Sequence, residues 1–327
     1  MNKTPPNSTL NTPKVQFLCI DEDIAGQRID NFLLTKLKGA PKSLIYRIVR
    51  KGEVRVNKGR IKPEYKLKTG DIVRVPPVRL APVSELKKPG QSLVELLQKA
   101  VVYEDDTIVI INKPSGLAVH GGSGIQLGLI ESLRQVREGD KFLELVHRLD
   151  RDTSGCIMVA KSRRGLRYMQ QQLRERQMNK VYQALVFGSW SKRCNKVDVA
   201  LLKNQLPSGQ RTVRAVDEST EGAKASLTRF NILESYLGCT LLEAKPITGR
   251  THQIRVHSQY AGHAILGDDK YGDQEQGTLM KKIGLKRLFL HARRLDFTDV
   301  NDQQVSVESP LSQDLQRTLD KLAAPDK

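Results

Sequence analysis

Between Lys36 and Arg79 the chain carries fourteen basic residues against three acids, Glu53, Glu64 and Asp71, yet its apolar residues keep regular spacing. A segment with both properties has to fold as a small unit with one apolar face and one cationic face. Ile29, Phe32, Leu33 and Leu37 recur at helical spacing behind Gly26, and Leu44, Ile45, Ile48 and Val49 form the stripe of a second helix that stops at Gly52. Lys42, Arg47, Arg50 and Lys51 fall largely on its solvent side. Val54-Arg55-Val56 and Ile72-Val73-Arg74-Val75 alternate as strands do, with a turn at Asn57-Lys58-Gly59 and a stop at Pro76 and Pro77. The segment therefore reads as a helix-helix-hairpin unit.

This stretch supplies +11 of a net charge of +18, a concentration that scattered solubilising charge does not explain and that points to a polyanionic partner. Nucleic acid is favoured over membrane, because no apolar run reaches the roughly 18 to 20 residues needed to span a bilayer. Met1 to Thr12 is polar and Pro-containing, without the apolar core of an export signal, so a cytoplasmic protein is expected. Cys19, Cys156, Cys194 and Cys239 are far apart and form no C-x-x-C pair, which makes reduced thiols the default. Oligomeric state is not legible, and monomer is the default.

At 327 residues, two domains are expected. Pro82, Lys87, Lys88, Pro89 and Gly90 mark a composition shift that reads as a linker. The expected plan is a flexible leader over 1–22, the basic unit over 23–80, a linker over 81–95, a larger domain over 96–315 and a fraying polar tail over 316–327. In the larger domain, strands are expected at 108–111, 156–160, 181–187 and 240–244, with helices around 163–176 and 251–260. The whole is an α+β chain.

The stretch richest in chemistry is His147-Arg148-Leu149-Asp150-Arg151-Asp152-Thr153-Ser154-Gly155, a polar loop directly before the apolar run Cys156 to Ala160. Asp150, Asp152, Ser154 and Gly155 match the opening of a calcium loop, but Lys161 stands where its bidentate Glu is required. Taken alone, the two aspartates fit an Asx turn equally well. His252 and His257 are five apart, and neither they nor His120 and His147 have zinc spacing, so no metal is expected. Gly121-Gly122-Ser123-Gly124 lacks the order of a dinucleotide or phosphate loop and reads as a turn, so no nucleotide cofactor is expected.

Residues Arg28 to Val75, with Arg28-Ile29-Asp30 in front and Val54-Arg55-Val56-Asn57 before the turn, resemble the S4 RNA-binding domain. That family has Gly directly after the Asn; Lys58 stands there in this chain, and a turn one residue longer is expected. The resemblance makes Lys42, Arg47, Arg50, Lys51, Arg55, Lys58 and Arg60 the candidate RNA contacts.

The loop at 147–155 resembles the H-R-L-D-x-x-T-S-G signature of the RluA-type pseudouridine synthases. It is joined in order by Asn112-Lys113-Pro114-Ser115-Gly116, Lys180-Val181-Tyr182-Gln183-Ala184, the run Thr248 to His257 that contains Thr251-His252-Gln253-Ile254-Arg255, the run Gly262 to Asp268, and Leu288 to Ala292. With the S4 unit in front, the chain resembles the RluC branch, which modifies 23S rRNA of the large ribosomal subunit.

The resemblance implies a mixed, mainly antiparallel catalytic sheet decorated with helices, base flipping, and Asp150 as the catalytic carboxylate. Arg255 is implied as its ion-pair partner, Tyr182 as the residue against the target base, and Arg148 as a neighbour of the flipped uridine. Without the motif, Tyr182 reads as a half-buried core tyrosine and Arg148 as a phosphate contact. Isomerisation of uridine imports no group, so no cofactor is implied; the implied partner is 23S rRNA or an assembling large subunit. Two other readings are a non-catalytic RNA chaperone, which would tolerate Asp150→Asn, and an S4-bearing methyltransferase, for which no Gly-rich cofactor loop is evident.

Overall fold

Short apolar stripes interrupted by Gly and Pro give short elements, and the chain folds into two units, residues 1–86 and 87–327. The structure is a computed structural model that describes residues 14–22, 24–37, 39–78, 88–121, 127–205, 211–272 and 275–324.

The first unit contains β1 (Gln16–Cys19), α1 (Ile29–Lys36), α2 (Lys42–Arg50), β2 (Arg55–Val56) and β3 (Ile72–Val75). Its antiparallel sheet has the order β1-β3-β2, and the helices share one buried core with it through Phe32, Leu33, Ile45, Ile48, Val56 and Val73. Helix α2 stops where Gly52 takes φ +70°, a conformation that suits glycine after a helix end. The 57–59 turn is not extended. Val56 N donates to Gly59 O (3.1 Å) and Gly59 N returns a bond to Val56 O (2.8 Å), so Asn57 and Lys58 are the two central residues, at φ +50° and +68°. Two left-handed residues form a tight turn whose twist matches the strands, and Lys58 simply takes the conformation in which the family has Gly.

The flexible leader expected over 1–22 does not hold at residues 16–19, which pair with β3 as an edge strand; residues 1–13 lie outside the described set. Of the expected linker, 81–87 also lie outside it, and 91–95 belong to a helix.

The second unit runs α3 (Gln91–Lys99), β4 (Val101–Glu104), β5 (Ile108–Lys113), α4 (Leu129–Val136), β6 (Glu144–Leu145), β7 (Ser154–Ala160), α5 (Arg163–Arg174), β8 (Asn179–Phe187), β9 (Lys196–Asp198), β10 (Ala200–Gln205), β11 (Arg211–Val216), β12 (Leu227–Tyr236), β13 (Cys239–Pro246), α6 (Gln253–Tyr260), α7 (Gln276–Ile283), β14 (Leu290–Thr298), β15 (Gln304–Glu308) and α8 (Gln313–Ala323). Ten strands form one sheet, β4-β5-β7-β14-β8-β13-β12-β9, with β15 on β14 and β6 on β7. The β7–β14 pair is parallel and the others are antiparallel, which is the mixed, mainly antiparallel sheet of an α+β domain.

Strand β7 is buried on both faces along its whole length, and this explains its uninterrupted apolar run. Strands β10 and β11 form a separate hairpin. The tail expected to fray from 316 is instead most of α8, whose Leu315 is fully buried against α7 and its neighbours. Glycines 122 and 124 of the expected turn lie outside the described residues. No helix among the described residues is long and apolar enough to cross a membrane.

Candidate active site

The loop between β6 and β7 is fixed from below by the end of β5. Lys113, 0% exposed, sends its ammonium to three carbonyl oxygens: Pro114 (2.8 Å), Leu117 (2.9 Å) and Arg151 (2.9 Å). Gly116 N also donates to Arg151 O (2.9 Å), and Ser115 Oγ donates to Asp152 O (2.7 Å). The Asn112 to Gly116 motif is thus the floor on which the Asp150 loop rests. The far side of the loop is tied to the sheet: Met158 N donates to His147 Nε2 (3.2 Å), and Ser154 Oγ lies 3.0 Å from Nδ1 of the buried His291 on β14. Gly155 is required here, since it takes φ +106° and an added Cβ would come within 2.3 Å of Ala292 O. Each of these contacts serves to present one side chain, Asp150.

The Asp150 carboxylate is 19% exposed and accepts no hydrogen bond among the described residues, so it does not form the Asx turn that its sequence allows. Its Oδ2 lies 3.8 Å from Arg255 Nη1 and 3.8 Å from His252 Nε2. Both come from the start of α6, where Gln253 anchors the entry: its Oε1 accepts from Thr248 Oγ1 (2.8 Å) and Arg250 N (2.9 Å), and its Nε2 donates to Leu227 O and Thr228 Oγ1 (3.0 Å each). The residue capping α6 is His252, at φ +53°.

Arg255, 3% exposed, makes its close pair with a different carboxylate from the one expected. Its Nε and Nη2 bond Asp268 bidentately (2.7 and 2.6 Å), Nη2 also reaches Asp269 (3.3 Å), and the guanidinium sits 5.1 Å from the Tyr271 ring centre. Asp268 is fully buried and held by Lys270 N and Tyr271 N (3.0 Å each). Burial alone would favour the neutral guanidine, but the Asp268 hydrogen bonds and charge outweigh it and hold Arg255 protonated. The expected Asp150–Arg255 pair is therefore a 3.8 Å electrostatic neighbour on a scaffold fixed by Asp268, which leaves the Asp150 oxygens open.

Tyr182 on β8 faces the core with Ala184 and Val186 and also lines the Asp150 cavity. Burial, reinforced by the Asp150 charge, pushes its phenol above the ordinary range, so it stays protonated. Exposed Arg148 and half-buried Lys180 line the same cavity of about 510 Å³, a size that suits a nucleoside-sized ligand. Burial lowers the Lys180 ammonium from its ordinary value. The structure thus brings Asp150, Arg148, Tyr182 and Arg255 to one cavity. On the first unit, Lys42, Arg47, Arg50, Lys51, Arg55, Lys58 and Arg60 are all exposed.

Residues 107–260 match the RNA pseudouridylate synthase family model, and residues 27–73 match the S4 domain. Along its length the chain is 53% identical to the ribosomal large subunit pseudouridine synthase C of Haemophilus influenzae, covering 98% of both chains. The chain belongs to the RNA pseudouridylate synthase family. The protein of the same name from Escherichia coli strain K12 is 56% identical over 95% of this chain and 98% of its own. Among solved structures, human RNA pseudouridylate synthase domain containing 4 is 28% identical, with a TM-score of 0.60, over 71% of this chain and 95% of that one. The chain is accordingly an RNA pseudouridine synthase with an S4 domain in front of its catalytic domain.

Some residues of the synthase's site were not singled out by sequence reasoning. Asp268, Tyr271 and Lys180 each fall inside or beside a quoted motif, but their signal is spatial: Asp268 meets Arg255 only because Gly267, at φ +78° with no room for a Cβ beside Arg287 O, turns the chain there. His252 was weighed as a metal ligand, and its neighbours in the structure are Asp150 and Tyr271.

Proposed function

We propose that this synthase isomerises specific uridines of 23S rRNA in the large ribosomal subunit, as free rRNA or in an assembling particle, acting as a cytoplasmic monomer that needs no cofactor. The names of its full-length relatives support the substrate class, and the exposed cations of the S4 unit supply the expected salt-dependent grip on RNA. The observation that carries the chemistry is the Asp150 carboxylate, which lines a nucleoside-sized cavity without a hydrogen bond to any of the described residues and 3.8 Å from Arg255.

The reaction breaks the N1–C1′ bond, turns the uracil and forms a C5–C1′ bond; the proton leaves C5 and N1 gains one, so electrons and atoms balance without a redox partner. A stacked nucleotide is out of reach of a carboxylate in a cavity, so the uridine is flipped outward, at lower cost in loops and bulges. Ionised Asp150 then acts on the sugar, as nucleophile at C1′ or as base at C2′. Arg255 sets a fixed positive charge 3.8 Å from its Oδ2. Tyr182 lies against the base, and Arg148, at the exposed rim, fills the gap in the RNA.

Pseudouridine mapping of large-subunit rRNA from cells lacking the gene, complemented with wild type or with Asp150→Asn, tests this. Specific uridines lose modification without the gene and regain it only with wild type. Unchanged rRNA would move the substrate assignment to another RNA, and rescue by Asp150→Asn would remove Asp150 from the chemistry.

A further inference from the structure

Arg255 divides its charge among three carboxylates, Asp150, Asp268 and Asp269, and keeps its closest hydrogen bonds for Asp268. What the second nitrogen neighbour of Asp150 presents is therefore consequential, and it is decided on the far side of the His252 ring. His252 Nδ1 lies 2.7 Å from Tyr271 Oη, and that oxygen accepts the N–H of Val213 on β11 at 3.0 Å. The Val213 N–H takes up one acceptor direction of that oxygen, and among the described residues Nδ1 is the acceptor within hydrogen-bond reach of the hydroxyl's own proton, so we take that proton to point to Nδ1. Nδ1 is then the acceptor, and the ring carries its proton on Nε2, facing Asp150. The opposite tautomer would aim a lone pair at a carboxylate.

The ring faces Asp150 from the catalytic loop, Arg255 from α6, and Asp268, Lys270 and Tyr271 from the following turn; the Val213 N–H of the hairpin acts on it only through Tyr271 Oη. Burial is the largest influence and favours the neutral ring; Asp150 and Asp268 oppose it, while Arg255 and Lys270 add to it. His252 is held edge-on to Tyr271, with ring centres 5.5 Å apart at 72°.

We propose that His252 is a positioning residue for Asp150, offering the carboxylate an Nε2–H in the tautomer that Tyr271 dictates. The proposal rests on Asp150 being the reactive group. Both nitrogen neighbours face Oδ2, which leaves Oδ1 to the sugar. A shift of roughly 1 Å on substrate entry turns the 3.8 Å approach into a hydrogen bond, which fixes the carboxylate plane.

The test is single-turnover release of tritium from RNA carrying 5-tritiated uridine, between about pH 4.5 and about pH 8.5, a window carried below the ordinary imidazole range because burial lowers this ring. Tyr271→Phe keeps the ring under Arg255 but frees the tautomer, so its rate falls about tenfold at the alkaline end, with RNA affinity unchanged. The deficit shrinks toward acid pH, because a protonated imidazole has N–H on both nitrogens. His252→Gln, whose amide nitrogen stands in for Nε2, stays within about threefold of wild type, whereas His252→Ala loses about thirtyfold. Both place a non-glycine side chain at φ +53°, so their difference isolates the donor.

Equal rates for the Gln and Ala variants overturn the proposal. So does a Tyr271→Phe deficit that is the same at every pH, since that is the mark of a purely structural residue. If Tyr271→Phe does not fold, the Gln and Ala pair decides. Wild-type turnover by Asp150→Asn is a separate result that removes the reading beneath the proposal.

Discussion

Lys113 shows how a buried charge can serve an active site without entering it. Burial pushes its ammonium down to about 7, with Asp152 and Asp150 opposing. The three carbonyl acceptors match the three N–H bonds of the charged form and also work against that shift. Lys113→Met keeps the apolar stem but takes the ammonium donor from the Pro114 and Leu117 carbonyls and leaves the Arg151 carbonyl with the Gly116 N–H alone. The expected cost is about 3 kcal/mol of unfolding free energy, together with a turnover rate about tenfold lower because the Asp150 loop loses one of the two donors that hold the Arg151 carbonyl. Denaturant titration and steady-state kinetics measure the two effects, and a variant as stable as wild type would show that the three bonds are worth nothing. At this scale Asp150 was legible because a nine-residue motif surrounds it. The identity of the close partner of Arg255 was not: an arginine can reach any carboxylate its fold brings near, and only the turn at Gly267 places Asp268 there.

The elements recovered from the sequence are those with a clean period. Helices α1 and α2, the 72–75 strand and the buried β7 follow directly from their apolar spacing. Strand β1 was passed over because it is a four-residue edge strand with no residue fully buried, so no apolar alternation marks it. Helix α8 was passed over because its composition is polar, although Leu315, Leu319 and Leu322 do stand at helical spacing and join one cluster with α7. The Asn57-Lys58 turn yields a prediction with two opposed readouts. A side chain at φ +68° costs roughly 1 kcal/mol relative to glycine, so Lys58→Gly stabilises the S4 unit by about that much while removing one exposed cation from the proposed RNA face. Thermal melting of the S4 transition rises and RNA affinity falls; a lower melting temperature would mean that the Lys58 side chain holds the turn by contacts that glycine cannot make.

Across the whole molecule, charge and protonation are distributed unequally between the two units. Neutralising Arg50, Lys51, Arg55 and Lys58 together is expected to reduce the slope of log affinity against log salt by about 3, with the single-turnover rate at saturating RNA retained; an unchanged slope would place the RNA elsewhere. The acid response belongs to the other unit, because all six histidines lie beyond residue 87. His257 and His291 are both 0% exposed, and burial lowers each to about 4. Their neutral rings are locked between Ser226 and Thr228, and between Ser154 and the Ser309 carbonyl. The native state keeps them neutral, whereas the unfolded chain takes up protons once the pH falls below about 6.5. Their contribution is fully present above that pH, declines as the pH falls toward 4, and is gone below it, at about 3 kcal/mol for each ring. The S4 unit has no such group. Its buried Asp30 is held below the usual carboxylate range chiefly by the Arg28 hydrogen bonds, and Asp71 by bonds from Lys68 N, Tyr65 and Asn57 that outweigh its burial. Depressed carboxylates lose their contribution only as the pH falls through values below 3.8. Calorimetry from pH 7 to pH 4 should therefore show the catalytic transition moving down while the S4 transition holds, and a joint shift of both would mean that the two units unfold as one.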